Sequence, residues 1–144
     1  MKSYLYAAVI TVLTATTAQA VETGTLTLAC KGTNVAGYEG ANPEPFSMSL
    51  IISFTAGTVQ GFGTPGFSDP PVKITGINDV TVAFGGSTQA PARVLGNSDW
   101  SLNGTIDRVT GEVEANEILT DAQTGTKFAS TSYSLKCRPT QRMF

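Results

Sequence analysis

The chain of 144 residues contains no histidine. That excludes Ser-His-Asp and Cys-His catalytic arrangements and the common zinc sites. Cysteine is nearly as scarce, with only Cys30 and Cys137. Redox-active pairs usually sit close together as C-x-x-C, and these two lie far apart, so they read as a structural disulfide. No thiolate nucleophile then remains, and an enzyme would have to use carboxylates, Lys or Tyr. Charge is also sparse, at 14% of residues with a net charge of −2. There is no basic footprint for nucleic acid or anionic lipid. Beyond the first 20 residues no segment shows a sustained 3.6-residue apolar period, so helix is limited to about one turn in a loop. Internal repeats, low-complexity tracts and linkers are missing too.

What is present begins with a segment for export. Met1-Lys2-Ser3 carries one positive charge, an apolar run extends from Tyr4 to Leu13, and Ala18-Gln19-Ala20 has the small-x-small pattern of a cleavage site. This is the layout of a secretory signal over residues 1–20. The apolar run is too short for a spanning helix, which needs roughly 20 residues. No cysteine follows the cleavage site closely enough for a lipoprotein. Residues 21–144 then form a single domain in an oxidising compartment, where Cys30 and Cys137 would pair.

Period-2 alternation dominates that domain. Leu26, Leu28 and Cys30 share one face of a strand. Phe46, Met48, Leu50, Ile52 and Phe54 share one face of the next, with serines on most of the other side. Val80–84, 100–106 and 133–137 repeat the pattern, and weaker strand signals cover 58–63, 72–75, 93–95, 112–118 and the stretch from Lys127. Asp107-Arg108-Val109-Thr110-Gly111 and Asp121-Ala122-Gln123-Thr124-Gly125 read as hairpin loops ending in a glycine at positive φ. Two glycine- and proline-rich stretches, 33–45 and 61–71, read as irregular surface loops.

About eight short strands predict an all-β domain, either a small antiparallel barrel or a two-sheet sandwich. The cysteines sharpen the choice. A disulfide needs Cα atoms within about 7 Å, and both cysteines lie on apolar rows of the first and last strands. Adjacent end strands close a barrel and remove both exposed edges, so the barrel is the preferred architecture.

The candidate carboxylates are Glu112 and Glu114, with Glu117 close by. Residues i and i+2 of a strand lie about 7 Å apart on one face, a spacing that glycosidase pairs can use. Val113 and Ala115 take the opposite face, however, which puts the two glutamates on the solvated side. Asn78 and Asp79 lack the spacing of a calcium site. Trp100, Tyr133, Phe54 and Phe84 read as core residues that could line a cavity. The best candidates for ligand binding are Tyr38, Phe62 and Phe67, aromatics on the two irregular loops, together with Trp100. A terminal aromatic, Phe144, is common in outer-membrane barrels, but Pro139 and two arginines break the final run, and the strands read as too short and too poor in aromatics for a membrane.

Gly104-Thr105-Ile106-Asp107-Arg108-Val109-Thr110-Gly111 and the ending from Tyr133 to Phe144 resemble a group of small exported proteins of rhizobia-like alphaproteobacteria. The resemblance covers about a third of the chain. It implies a Gram-negative periplasmic or secreted setting and no particular activity. The small periplasmic lysozyme inhibitors are disulfide-linked β-barrels of similar size, but their Ser-Gly-x-x-Tyr signature is missing here.

The expectation is therefore a non-enzymatic periplasmic or secreted β-barrel, monomeric, without cofactor or metal and not integral to a membrane. It would bind a small ligand, or an envelope or protein partner. The alternatives are an envelope structural or stress-protective protein and, third, a carboxylate-dependent hydrolase.

Overall fold

In the computed structural model, described over residues 24–37, 41–62, 72–89 and 98–140, eight antiparallel strands close into a barrel of simple sequential order. They are β1 (Thr25–Ala36), β2 (Glu44–Ser53), β3 (Thr58–Gln60), β4 (Val72–Ile77), β5 (Thr81–Gln89), β6 (Ser98–Asp107), β7 (Glu112–Asp121) and β8 (Lys127–Pro139). The segment 1–20 lies outside the described residues, as does the weak strand signal at 93–95.

The alternation in the sequence becomes the inside and outside of the wall. Leu28, Cys30, Leu50, Ile52, Val82, Leu102, Ile106, Val113 and Leu135 are buried in one core. The outward rows are polar: Thr25, Thr27 and Lys31 on β1, Ser47 and Ser49 on β2, and Ser132, Ser134 and Lys136 on β8 are exposed or nearly so. The sandwich is thereby set aside.

Closure runs through β1 and β8, which pair from Leu28↔Pro139 to Ala36↔Thr131. Cys30 and Cys137 face each other in that register and are joined by a disulfide. The bridge therefore staples the seam at which the meander meets its own start. Pro139 is the last residue of β8, a position where a missing N–H costs the ladder little.

The wall is uneven. β1, β2, β6, β7 and β8 run 10 to 13 residues, longer than the sequence pattern suggests. The reach of β1 to Ala36 and the start of β2 at Glu44 turn much of the expected irregular stretch 33–45 into paired strand, with Thr33 opposite Pro45. Proline is tolerated there because, among the described residues, β2 pairs on its other side only from Ile51 onward. By contrast β3 is three residues long and meets β4 in only two register pairs, Thr58↔Lys73 and Val59↔Val72.

The two barrel ends differ. Short turns after β2, β4 and β6 gather at one end, with the start of β1 and the finish of β8; this is the turn end. The connections after β1, β3, β5 and β7 join strands at the other. At the turn end, Asp107 folds its side chain into its own turn: Oδ1 accepts the N–H groups of Val109 and Thr110, and Gly111 sits at φ 75°. Asp121, Gln123, Thr124 and Gly125 repeat this device at the other end, with Gly125 at φ 69°.

Candidate functional site

The barrel interior divides along its axis. Toward the loop-bearing end it is filled by aromatic rings. Phe62 stacks on Phe84 with centroids 5.3 Å apart and meets the edge of Tyr133 at 5.5 Å, and Phe46 packs on Tyr133 at 5.4 Å. Gly104 lies opposite Phe84 in the register. A Cβ on that residue would run into the Phe84 ring and the Glu114 carbonyl, so the absent side chain is what lets the ring in.

Toward the turn end the inward strand residues are aliphatic, with Leu26 opposite Ile52 and Val82 opposite Ile106, and Phe54 is the one aromatic beside them. These side chains are too small to fill the lumen. A cavity of about 290 Å³ remains, walled by Leu26, Leu28, Ile52, Phe54, Val82 and Ile106. Asp107, Arg108 and Gly111 of the β6–β7 turn, with Cys137 and Pro139 of β8, complete its boundary.

Two charged groups therefore stand at an otherwise apolar opening. The Asp107 carboxyl is held below the usual carboxylate range, chiefly by the N–H of Thr110. The Arg108 Nη1 donates to the carbonyl oxygen of Asn78 at 2.6 Å, and the Arg108 N–H donates to the carbonyl of Val80. These bonds tie the β6–β7 turn to the neighbouring β4–β5 turn at this end of the barrel. Asn78 Oδ1 accepts the N–H groups of Val80 and Thr81, so this side chain shapes the turn. Among the described residues no group of three or more His, Cys, Asp or Glu is placed to hold a metal.

A second polar feature lies inside the wall. Glu117 is buried at 4% exposure. Its Oε1 accepts the indole N–H of Trp100 at 2.8 Å, and its Oε2 accepts the Tyr133 hydroxyl at 2.8 Å. Trp100 and Tyr133 are buried as well. Charge-assisted bonds of this kind offset the cost of taking a carboxylate out of water.

Several sequence expectations change here. Phe62 is not on an exposed loop: it is 3% exposed and lies in the middle of the aromatic cluster. β3 ends at Gln60, and two residues further on the chain turns this ring into the lumen, because a large apolar side chain gains more there than in water. Trp100 is also in the core, outside the cavity wall, with its N–H committed to Glu117. Of the four aromatics considered as cavity lining, only Phe54 takes that place. Tyr38 and Phe67 lie outside the described residues. Glu112 and Glu114 are on the outer face, as their parity implies, where they take hydrogen bonds from Lys136 and Ser134. That exposed row offers no cleft for a glycosidase pair.

Glu117, which the sequence reading notes only as lying close to Glu112 and Glu114, is the buried carboxyl group of the three. Its parity with Val113 and Ala115 puts it on the inward row, and that signal was legible beside its charge. Arg108 reads in the sequence only as part of a hairpin loop, and nothing there shows that it would bond to the β4–β5 turn. Comparison with protein-family models, with curated proteins and with solved structures gave no match to this chain.

Proposed function

We propose that this chain is an exported, non-enzymatic binding barrel that holds a small ligand in the cavity at its turn end. The observation that carries the reading is the cavity itself: an apolar-walled space of about 290 Å³ in a barrel whose other half holds a cluster of packed aromatic rings. Small-molecule sites are concave, mostly apolar and furnished with a few polar groups at one side, and the volume lies at the small end of their range.

Export is supported by the amino-terminal layout of residues 1–20 and by the disulfide, which is consistent with an oxidising compartment. The polar outer rows support a barrel that is not embedded in a membrane, where the outward rows would be apolar. The exposed setting of Glu112 and Glu114 supports a non-enzymatic role.

The test is a thermal-shift screen of the purified protein against small apolar and amphiphilic compounds. A ligand present at 100 times its Kd stabilises the native state by about 2.7 kcal/mol, which raises Tm by several degrees for a domain of this size. Hits should vanish when the cavity is filled by Ile106→Trp. No shift with any compound would overturn the reading and leave an envelope structural role in its place.

A further inference from the structure

Resting on that reading of the cavity, we propose that its ligand is an uncharged, hydrocarbon-rich molecule of about ten to twelve carbons, held in the barrel without a charged head group. The walls, the volume and the rim each narrow the choice.

The walls offer no polar partner. Leu26, Leu28, Ile52, Phe54, Val82 and Ile106 line the space, and none of these side chains has a hydrogen-bond donor or acceptor. Their backbones belong to the paired wall, where Leu26 lies opposite Ile52 and Val82 opposite Ile106. A polar group buried among them would go unsatisfied at considerable cost, so the buried part of a ligand is hydrocarbon.

The volume sets its size. An apolar cavity of about 150 Å³ lined by Leu, Ile and Phe stays dry and accepts benzene. The space here, about 290 Å³, is roughly twice as large, which gives about ten to twelve carbons. The rings of Phe62, Phe84 and Tyr133 pack together in the other half of the barrel, so a longer chain cannot extend past the cavity.

The rim favours neither sign of charge. Asp107 Oδ1 accepts the N–H groups of Val109 and Thr110, which hold this carboxyl in its charged form. Arg108 stands next to it and is already engaged, with Nη1 donating to the Asn78 carbonyl and a further partner besides. Both charges border the cavity, so an anionic head meets repulsion from one and a cationic head from the other. Side by side, the opposite charges offer no net attraction to an ion. A charged head would therefore stay hydrated outside and draw its tail outward. Leaving about two methylenes in water weakens binding about tenfold.

Calorimetric titration of the purified protein at neutral pH tests this with 1-decanol, sodium decanoate and decylammonium chloride. These share one chain length and differ in head group, and each is used below its aggregation limit. Decanol should bind at least about tenfold tighter than either ion. Ile106→Trp should eliminate decanol binding. If that variant fails to fold by circular dichroism, Leu26→Trp fills the space from a half-buried position. An ion that binds less than about tenfold more weakly than decanol would overturn the uncharged class and leave the cavity standing as a site. Failure of all three to bind, or decanol binding that survives the filling variant, would overturn the site together with its ligand.

Discussion

The Glu117 carboxylate accepts the Trp100 indole N–H at 2.8 Å inside a barrel whose neighbouring inward side chains are almost all apolar. Tyr133 reaches the second oxygen, so the three residues tie β6, β7 and β8 together from within. Removing the acceptor takes a hydrogen bond from two buried donors, a loss of about 1–3 kcal/mol each. Glu117→Leu should therefore lower unfolding stability by about 2–5 kcal/mol. Glu117→Gln, which keeps an acceptor for the indole, should cost distinctly less. Urea unfolding of both variants measures this, and a Leu variant as stable as the parent would show that the cluster contributes nothing.

Glu117 also shows how far the sequence could be read. The alternation of strands is a geometric signal with period 2, so the all-β class and the row assignments of Cys30, Leu50 and Leu135 follow from it directly, while the preference for a closed barrel over a sandwich came from the two cysteines. The disulfide follows from there being only two cysteines, far apart in a chain that reads as exported, and their places on the rows of the end strands bring those strands together. Glu117 obeys the same period, and its parity with Val113 and Ala115 places it on the inward row, although the sequence pattern by itself assigns a face only to Glu112 and Glu114. Phe62 failed for another reason. It lies beyond the end of β3, where alternation no longer applies, and glycine and proline around it signal a loop without saying which way one ring turns. The cavity was not legible at all. It depends on four strands presenting aliphatic rather than aromatic side chains at the same height, which is a property of register and not of any single segment.

Phe62→Ala distinguishes the two placements of that ring. On an exposed loop the change would fall within about 0.5 kcal/mol of neutral. Buried against Phe84 and Tyr133, its removal should cost about 3–5 kcal/mol. Chemical denaturation provides the figure, and a near-neutral result would put the ring back on the surface.

The Cys30–Cys137 bridge spans a separation of 107 residues, and the chain-entropy account assigns a loop of that size about 4.7 kcal/mol. The β1–β8 seam also carries nine register pairs without it. The paired variant Cys30→Ser/Cys137→Ser should therefore keep its β-rich far-ultraviolet spectrum while losing about 2–5 kcal/mol of stability. Equal denaturation midpoints with and without reductant, once reduction is verified by thiol titration, would contradict the stapling role.

The twin turns at Asp107 and Asp121 make acid sensitivity predictable. In each, backbone N–H groups donate to the carboxylate, Thr110 first for Asp107 and Thr124 first for Asp121, and both carboxyls are held below the ordinary Asp range. The folded pKa is thus lower than the unfolded one. Between the two values the unfolded chain binds more protons, so stability rises with pH there. The contribution is fully present above about pH 4–5, near the unfolded pKa of Asp, and is lost as pH falls through the lower folded values. Asn keeps an oxygen to accept the same N–H groups but does not titrate. Asp107→Asn/Asp121→Asn should therefore retain the turns, be less stable than the parent at neutral pH, and lose less stability than the parent on acidification. Unfolding free energies at about pH 6 and at about pH 2.5, above and below the ordinary Asp value, provide the comparison. The gap between parent and variant should narrow at the lower pH, and a gap of constant size would mean that these two carboxylates have no part in acid unfolding.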